Sequence, residues 1–568
     1  MPVQAWPVVQ YYWIVILLKP SDSMKTSTFV FLCLVSLSTN AERPNILLLM
    51  AEDMSPRMSA FEDAVAVTPN LDRLAKEGVV YTNVFATAGV CAPSRAAMGL
   101  GVHQVSSGSQ HMRTASRPAG AYFSVPPREV KAFPELLRSQ GYYTYTDSKL
   151  DYQFSHVRAG SGPFTVWDAE NVASRGWEHR ADNEPFFGWQ NFFVTHESGL
   201  FGKTTNRLEY FLLTLSRWCV GQAVKEFVRP EDVLLPPYYP DTGIVRADIA
   251  RHYNNIAEMD RQVGVILAAL EQDGLADSTI VIWMTDHGDG LPRAKRELYD
   301  SGIHVPMIVR WPDKFRPSHI EPGSRDNRLI STVDLAPSIL SLAGVELPSF
   351  LQGTSFMTSN RSYIFASRDR IDYVQDRQRA VRDKRFKYIR SWRPDLAQGH
   401  ALRFRDNISM VREMRDLFDA GQLTEKQAAW FQPVGSERLF DLTNDPHEVD
   451  NLANTGLYKT ELNRLKQVLS KKLSELGDSA TSSEADLVKS FNTSVTQPIT
   501  EAPTSEVRDC LLFLQATTPG SSLAWRPLTA RWKIYSEPIN ICEAGTVDTR
   551  AVRYGWLASD IKRVKRPI

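Results

Sequence analysis

The sequence predicts an α/β fold: a large doubly wound, mixed or parallel sheet sandwiched by helices. A smaller C-terminal antiparallel sheet with one helix follows, and then an appended β-sandwich-like module. Three observations lead there. Continuous apolar runs such as 45–50 and 279–284 read as strands buried on both faces, as in a sheet covered on two sides. They alternate with helical stretches, of which 246–272 carries Ile249, Tyr253, Ile256, Met259, Val263, Ile266 and Leu270 along one face. Polar residues able to do chemistry come directly after the runs, at the strand ends where open α/β sheets bind ligands.

In chain order, residues 1–41 read as a secretory signal. Met24-Lys25 leads into the apolar segment 29–35, and small residues follow up to a cut near Ala41, so the true start is Met24. A second apolar patch, 11–18, is too short to span a bilayer; a two-part membrane anchor is the alternative. The mature chain is expected to be exported, to the periplasm or the medium, with no stable membrane span.

The strand at 45–50 ends in Glu52-Asp53. Adjacent carboxylates repel unless a cation neutralises them, so a metal is the simplest reading beside that of an exposed acidic turn. A helix from Leu71 is ended by Gly78. An apolar run, 79–85, and a small-residue turn, 86–89, then precede Cys91-Ala92-Pro93-Ser94-Arg95. A helix opening near Pro93 lets Arg95 reach back towards residue 91. Residues 133–137 read as a helix and 141–145 as a strand whose end carries Lys149. A strand over 188–194 ends in Thr195-His196-Glu197. Residues 200–240 look like an insertion with a helix over 208–228 and a proline-rich loop. Strand 279–284 ends in Thr285-Asp286-His287-Gly288-Asp289; Lys295, His304, a strand at 307–311 and a helix at 332–343 follow. These elements make a first domain over 42–360. Short strands at 380–382, 386–390 and 438–442 and a helix over 458–476 make a second, 361–477. Residues 478–505, rich in Ser, Thr and Glu, read as a linker. In the module, 506–568, residues 534–541 and 546–556 read as strands.

The 65 basic and 65 acidic side chains cancel, so nothing favours bulk nucleic-acid binding. Five cysteines, Cys33, Cys91, Cys219, Cys510 and Cys542, give no disulfide framework and no Cys-x-x-Cys pair. Spacing leaves open whether Cys510 and Cys542 join.

Cys91-x-Pro-Ser-Arg, with Pro44 to Asp53, Thr68 to Leu74, Thr285 to Gly288 and Phe440 to Ala453, resembles the formylglycine-dependent sulfatases of the alkaline phosphatase superfamily over residues 43–475. Residues 233–237 and 246–274 resemble the branch with heparan N-sulfoglucosamine sulfohydrolase and bacterial polysaccharide sulfatases. The tail, 546–556, resembles the immunoglobulin-like module of some chitobiase-type glycoside hydrolases. The resemblance implies hydrolysis of sulfate esters, with N-sulfate as an option, on a sulfated polysaccharide or oligosaccharide. It implies that Cys91 becomes formylglycine through a formylglycine-generating or anaerobic maturation enzyme. Glu52, Asp53, Asp286 and His287 would hold one divalent cation, Ca2+ ahead of Mg2+. Arg95 would steady the hydrated aldehyde, Lys149 and Lys295 would clamp sulfate oxygens, and His196 would face the leaving atom. His304, where relatives often carry Arg, would serve substrate recognition or packing. One hydroxyl of the hydrate attacks sulfur and the other expels sulfate, a second step that a serine or an unmodified cysteine lacks.

The chain departs from the family pattern at three further places. Leu100-Gly101-Val102 stands for Thr-Gly-Arg, Glu52-Asp53 for Asp-Asp, and Lys149-x-Asp151 for Lys-x-His. The last removes a second histidine and leaves His196 as the favoured acid. Two rivals remain. A phosphate or phosphonate ester hydrolase of the same superfamily is disfavoured by the cysteine motif, and a non-catalytic glycan-binding protein by the intact Cys91, carboxylates and lysines.

Overall fold

The computed structural model describes residues 42–114, 117, 119–172, 174–201, 225–478, 482–491 and 497–566. The expected signal and residues 208–224 of the expected insertion helix lie outside them, and 225–228 are not helical.

Eight strands form the main sheet: β1 (Asn45–Ala51), β2 (Gly78–Phe85), β3 (Tyr143–Thr146), β4 (Phe186–Phe192), β5 (Thr279–Thr285), β6 (His304–Arg310), β7 (Arg325–Asp326) and β8 (Ile330–Ser331). Their order is β3-β4-β1-β5-β6-β2-β7, with β8 also paired to β2. β1 is central and parallel to both neighbours, which is why all seven of its residues are buried. β6 alone runs against the others. Residues 286–303 leave and re-enter the sheet at the same rim, so the strand they lead into must return antiparallel.

Helices cover both faces. On one, α1 (Pro69–Glu77) and α4 (Gly243–Gln272) bury Leu71, Ile256, Met259, Val263 and Ile266 against Leu47, Leu49 and Trp283. Each such side chain contributes roughly 1.5–3 kcal/mol. The Thr242 hydroxyl caps the start of α4 by accepting from the Val245 N–H, 3.2 Å, and Gly274, at φ +68°, lies just past its end. On the other face lie α2 (Cys91–Leu100), α3 (Phe133–Ser139) and α5 (Leu335–Leu342).

A second, antiparallel sheet runs β12-β11-β10-β9, from β9 (Ile364–Arg368), β10 (Gln378–Arg382), β11 (Phe386–Ser391) and β12 (Glu437–Asp441). The sequence reading lacked β9 and also α6 (Ser409–Asp419), whose Met410, Val411 and Met414 pack on Ile249 and Tyr253 of α4. α7 (Lys459–Glu475) lays Leu462, Leu465 and Leu469 on the sheet.

The stretch read as a linker is corrected in part, because it contains α8 (Glu484–Ser490). The Glu484 carboxylate is buried and accepts from Arg370 Nε at 2.6 Å, Arg370 Nη2 at 2.8 Å and the Tyr122 hydroxyl at 2.9 Å. Burial opposes its ionisation, but the Arg370 hydrogen bonds outweigh that and hold the carboxyl down to about 2. A depressed carboxyl stabilises the fold above its unfolded value, near 4.5, and that contribution fades as pH falls towards 2. Glu484→Gln is therefore expected to cost about 3 kcal/mol at neutral pH. Calorimetric melting should show the gap between variant and parent closing as pH falls from 5 towards 2.

The last strands form two small antiparallel sheets. One contains β13 (Thr504–Arg508), β14 (Leu511–Gln515) and β17 (Ile539–Asn540). The other contains β15 (Ser522–Pro527), β16 (Lys533–Ile534), β18 (Val547–Val552) and β19 (Lys562–Val564). They share a core of Leu512, Leu514, Ile539 and Val547. The single strand expected over 534–541 is thus two pieces in different sheets, parted at Pro538, which lacks the N–H a continuing ladder needs. Cys510 and Cys542 are joined by a disulfide beside α9 (Ile541–Ala544). These sheets are anchored to α3. The Tyr554 hydroxyl donates to Glu135 at 2.8 Å and accepts from the Ala132 N–H at 3.2 Å, and Lys131 Nζ donates to Gly520 O at 2.8 Å.

Candidate active site

Five strand ends meet at one rim of the main sheet. Glu52 and Asp53 follow β1, Cys91 follows β2, Lys149 follows β3, His196 follows β4, and Asp286 and His287 follow β5. Cys91 is the first residue of α2 and fully buried. Its Sγ lies 3.3 Å from His287 Nε2, 3.5 Å from Lys295 Nζ and 3.9 Å from Asp53 Oδ1. Burial alone would raise its pKa, yet Lys149 and Lys295 bring the thiol below its ordinary value. The loop delivering it passes tightly over Glu297: a Cβ at Gly89 would come 2.3 Å from that carbonyl oxygen.

Arg95 makes no hydrogen bond to Cys91. Its guanidinium instead spans three acceptors: Asp286 Oδ2 at 3.0 Å, Glu52 Oε1 at 3.2 Å and Asn191 Oδ1 at 2.6 Å. The fork thereby cross-braces carboxylates from β1 and β5. Glu52 also accepts from Lys149 Nζ, which lies 5.4 Å from the Phe193 ring. Lys295 Nζ donates to Asp53 Oδ2 at 2.6 Å and pairs with Glu197 Oε1 at 3.2 Å.

Asp53 sits at φ +50°, a left-handed conformation that Asp and Asn tolerate. It accepts the Glu197 N–H at 2.7 Å. Burial raises its pKa, but Lys295, His196 and His287 together hold it well below the usual carboxylate range. His287 donates Nδ1–H to the Gly288 carbonyl at 3.0 Å, which aims Nε2 at Asp53 Oδ1, 3.1 Å away. Burial works against its charge; Asp286, Cys91 and Asp53 nevertheless raise it to about 10. With Nδ1–H committed to Gly288, Nε2 is the atom left for a cation, which would displace this proton and take over its charge among the carboxylates. His196 behaves oppositely. Burial first, and Lys295 next, lower it to about 4, so its ring is neutral at pH 7. Its Nδ1 accepts from the Ser198 N–H at 3.3 Å, which leaves the ring proton on Nε2.

The donor atoms of Glu52, Asp53, Cys91 and His196 lie within 4.8 Å of one another, and so do those of Asp53, Cys91, Asp286 and His287. The two groups share Asp53 and Cys91, and together three carboxylates and two imidazoles surround residue 91; this donor set fits a divalent cation, and its carboxylate oxygens suit a hard one.

Two features escaped the sequence. Arg296 forks onto Glu197 at 2.8 and 2.7 Å and fixes the carboxylate that holds Lys295. Glu197 did carry a signal, since it adjoins His196 at the same strand end. Asp151, at the position of the missing histidine, is buried and paired with Arg113, which no local pattern announced. His304, expected to serve recognition or packing, lies outside the cluster. Its Nε2–H donates to the Thr82 carbonyl at 2.8 Å and its ring stacks on Phe85 at 4.8 Å, so the first residue of β6 is committed to packing against β2.

Comparison with known proteins matches residues 44–345 to the sulfatase family model and residues 293–429 to the C-terminal model of N-sulphoglucosamine sulphohydrolase. An ulvan-active sulfatase of Formosa agariphila is 40% identical over 551 residues, covering 91% of this chain and 90% of the relative. Human N-sulphoglucosamine sulphohydrolase is 24% identical over 475 residues, 75% and 89% of the two chains. The solved structure of a 2-O GAG sulfatase superposes with a TM-score of 0.54 at 19% identity, covering 77% of this chain and 93% of that one, a likeness of fold.

Proposed function

Because this chain belongs to the sulfatase family and is a sulfuric ester hydrolase of sulfated glycans, we propose that it strips sulfate esters from an ulvan-type polysaccharide. In this reading residue 91 works as formylglycine beside one divalent cation, Ca2+ ahead of Mg2+. The observation that carries the chemistry is the seat of Cys91, within 3.5 Å of both His287 Nε2 and Lys295 Nζ. The substrate class rests on the ulvan-active relative, matched over about nine-tenths of both chains.

Converted by a formylglycine-generating or anaerobic maturation enzyme, residue 91 supplies a hydrated aldehyde as nucleophile and as the group that expels sulfate. Held by Glu52, Asp53, Asp286 and His287, the cation supplies charge to stabilise sulfate oxygens. The remaining roles belong to side chains already in position. Lys149, paired with Glu52, and Lys295, paired with Asp53, bring positive charge to the same oxygens. Arg95 holds Glu52 and Asp286 at fixed separation. His196, neutral at pH 7, presents Nε2–H as a hydrogen-bond donor to the leaving oxygen, and Asp151, tied to Arg113, offers no acid, so the proton that this oxygen takes up comes from water. Export of the mature chain completes the reading; among the described residues no helix is long and apolar enough to cross a membrane.

The test is free sulfate, measured by ion chromatography, from ulvan oligosaccharides incubated with protein shown to carry converted residue 91. Release of phosphate from matched phosphate esters in preference to sulfate would overturn the reading. N-sulfated glucosamine is the second substrate to assay, favoured by the C-terminal family match. His196→Ala is expected to slow release from the saccharide by about 10²–10⁴-fold yet spare an aryl sulfate, whose leaving group needs no proton. Equal losses on both substrates would show that His196 does not act on the leaving oxygen.

A further inference from the structure

The catalytic side chains are buried, yet the surface beside them is aromatic. Phe193, Tyr373 and Phe404 are 45%, 53% and 41% exposed, and among the described residues only Phe227 and Phe513 are aromatic side chains comparably open. We propose that these three rings are the wall that holds the glycan, each taking the C–H face of a sugar. The proposal rests on the sulfated-glycan reading above, and concerns what binds the sugar rather than its sulfate.

Two of the rings adjoin groups with roles in the reaction. Phe193 directly follows β4, and its ring lies 5.4 Å from Nζ of Lys149, which serves the sulfate oxygens. Phe404, between β11 and α6, has its ring centroid 6.4 Å from that of His196, which faces the leaving oxygen. That oxygen belongs to the sugar, so the ring that carries the sulfate comes to lie beside Phe404. Tyr373, between β9 and β10, stands next to it. Its hydroxyl accepts the Arg403 N–H at 3.3 Å and donates to the Ala401 carbonyl at 3.2 Å. It is one step further from the reacting atoms and meets the neighbouring sugar of the chain.

The wall is set before any ligand arrives. Ile371 and Val374 exchange both backbone hydrogen bonds, at 3.1 and 3.0 Å, which places Tyr373 in a closed turn. The Asp372 N–H pins that turn to the Met112 carbonyl at 2.6 Å. Phe404 packs edge-on against Phe201 at 5.0 Å, and the next residue, Arg405, is buried over Trp430 at 4.6 Å. Rigid rings lose little freedom when a ligand settles on them. The two loops add no net charge: Arg113 is paired with Asp151, and Arg403 is balanced by Asp372. Anions are therefore selected by Lys149 and Lys295 below, while the wall selects by shape. A sulfated sugar meets both demands, with charged substituents at its edge and apolar C–H faces for the rings.

The test uses the full chain carrying Cys91→Ala, so that nothing turns over, and calorimetric binding of a sulfated monosaccharide and a tetrasaccharide, both from ulvan. Phe404→Leu and Phe193→Leu are each expected to weaken both ligands about ten-fold or more. Leucine keeps apolar bulk against Phe201 but has no flat face. Phe404→Tyr keeps the face and should stay within about three-fold of the parent. Tyr373→Leu should weaken the tetrasaccharide about ten-fold and the monosaccharide by less than about three-fold. In converted enzyme the same losses should appear in KM, with kcat little changed. Binding indifferent to Phe404→Leu, or as poor in Phe404→Tyr as in Phe404→Leu, overturns the wall. So does Tyr373→Leu acting alike on both lengths. If the parent releases no sulfate from ulvan, the ulvan reading fails, and the same variants read with N-sulfated glucosamine saccharides decide the wall.

Discussion

Replacing Cys91 by alanine is expected to lower sulfate release by more than about 10⁴-fold, the scale seen when a covalent nucleophile is removed. The substitution deletes only Sγ from a residue that keeps its Cβ at the start of α2, so melting should move by no more than about 1 kcal/mol of stability. Lys149, Lys295 and the carboxylates would remain in place around an inert methyl group. Cys91→Ser tests the second half of the chemistry. Made without conversion, the serine can accept sulfate but has no second hydroxyl to expel it, so intact-mass spectrometry should find one sulfate retained per chain. Residual turnover above about one per cent in the alanine variant would mean that residue 91 is not the nucleophile.

Asp53→Asn should produce the next largest loss, more than about 10³-fold in kcat/KM, with cation affinity down by on the order of a hundred-fold. Asp53 belongs to both donor groups around residue 91, receives Lys295 at 2.6 Å and faces His287 at 3.1 Å. Asparagine is isosteric and accepts the left-handed backbone at φ +50°, so the change removes charge without moving the turn. Calcium titration calorimetry paired with sulfate release checks both numbers. Activity of the asparagine variant within about ten-fold of the parent would show that the cation, if it acts at all, is held by the other carboxylates.

The rim was legible because two independent patterns coincided. Strand ends could be read from apolar runs, and Glu52-Asp53, Lys149, His196 and Asp286-His287 fell just beyond them. What stayed hidden were pairings made across long separations. Arg95 was expected to turn towards residue 91, but Glu52, Asp286 and Asn191 compete for its fork and win. Glu197 finds its partner 99 positions away, and Glu484 finds Arg370 at 114. The same Glu484 defeated the reading of 478–505 as a linker. Composition reports how a stretch would be solvated alone, not which buried guanidinium awaits its carboxylate. Of the two roles the sequence left open for His304, recognition or packing, the sequence could not choose, because the Thr82 carbonyl that takes its Nε2–H lies 222 positions away.

The anchoring of Tyr554 on α3 has a consequence for biosynthesis. Glu135 is made early in translation and meets the Thr165 hydroxyl soon after, but Ser522 and the Tyr554 phenol, its other partners, arrive 387 and 419 residues later. Until then a helix facing the first-made sheet keeps a carboxylate and the Ala132 N–H without their final partners. A growing chain therefore cannot finish its first layer before its tail has emerged. Ribosome-stalled chains lacking the last 20 or so residues should accordingly remain protease-sensitive around α3, however long they are left to fold.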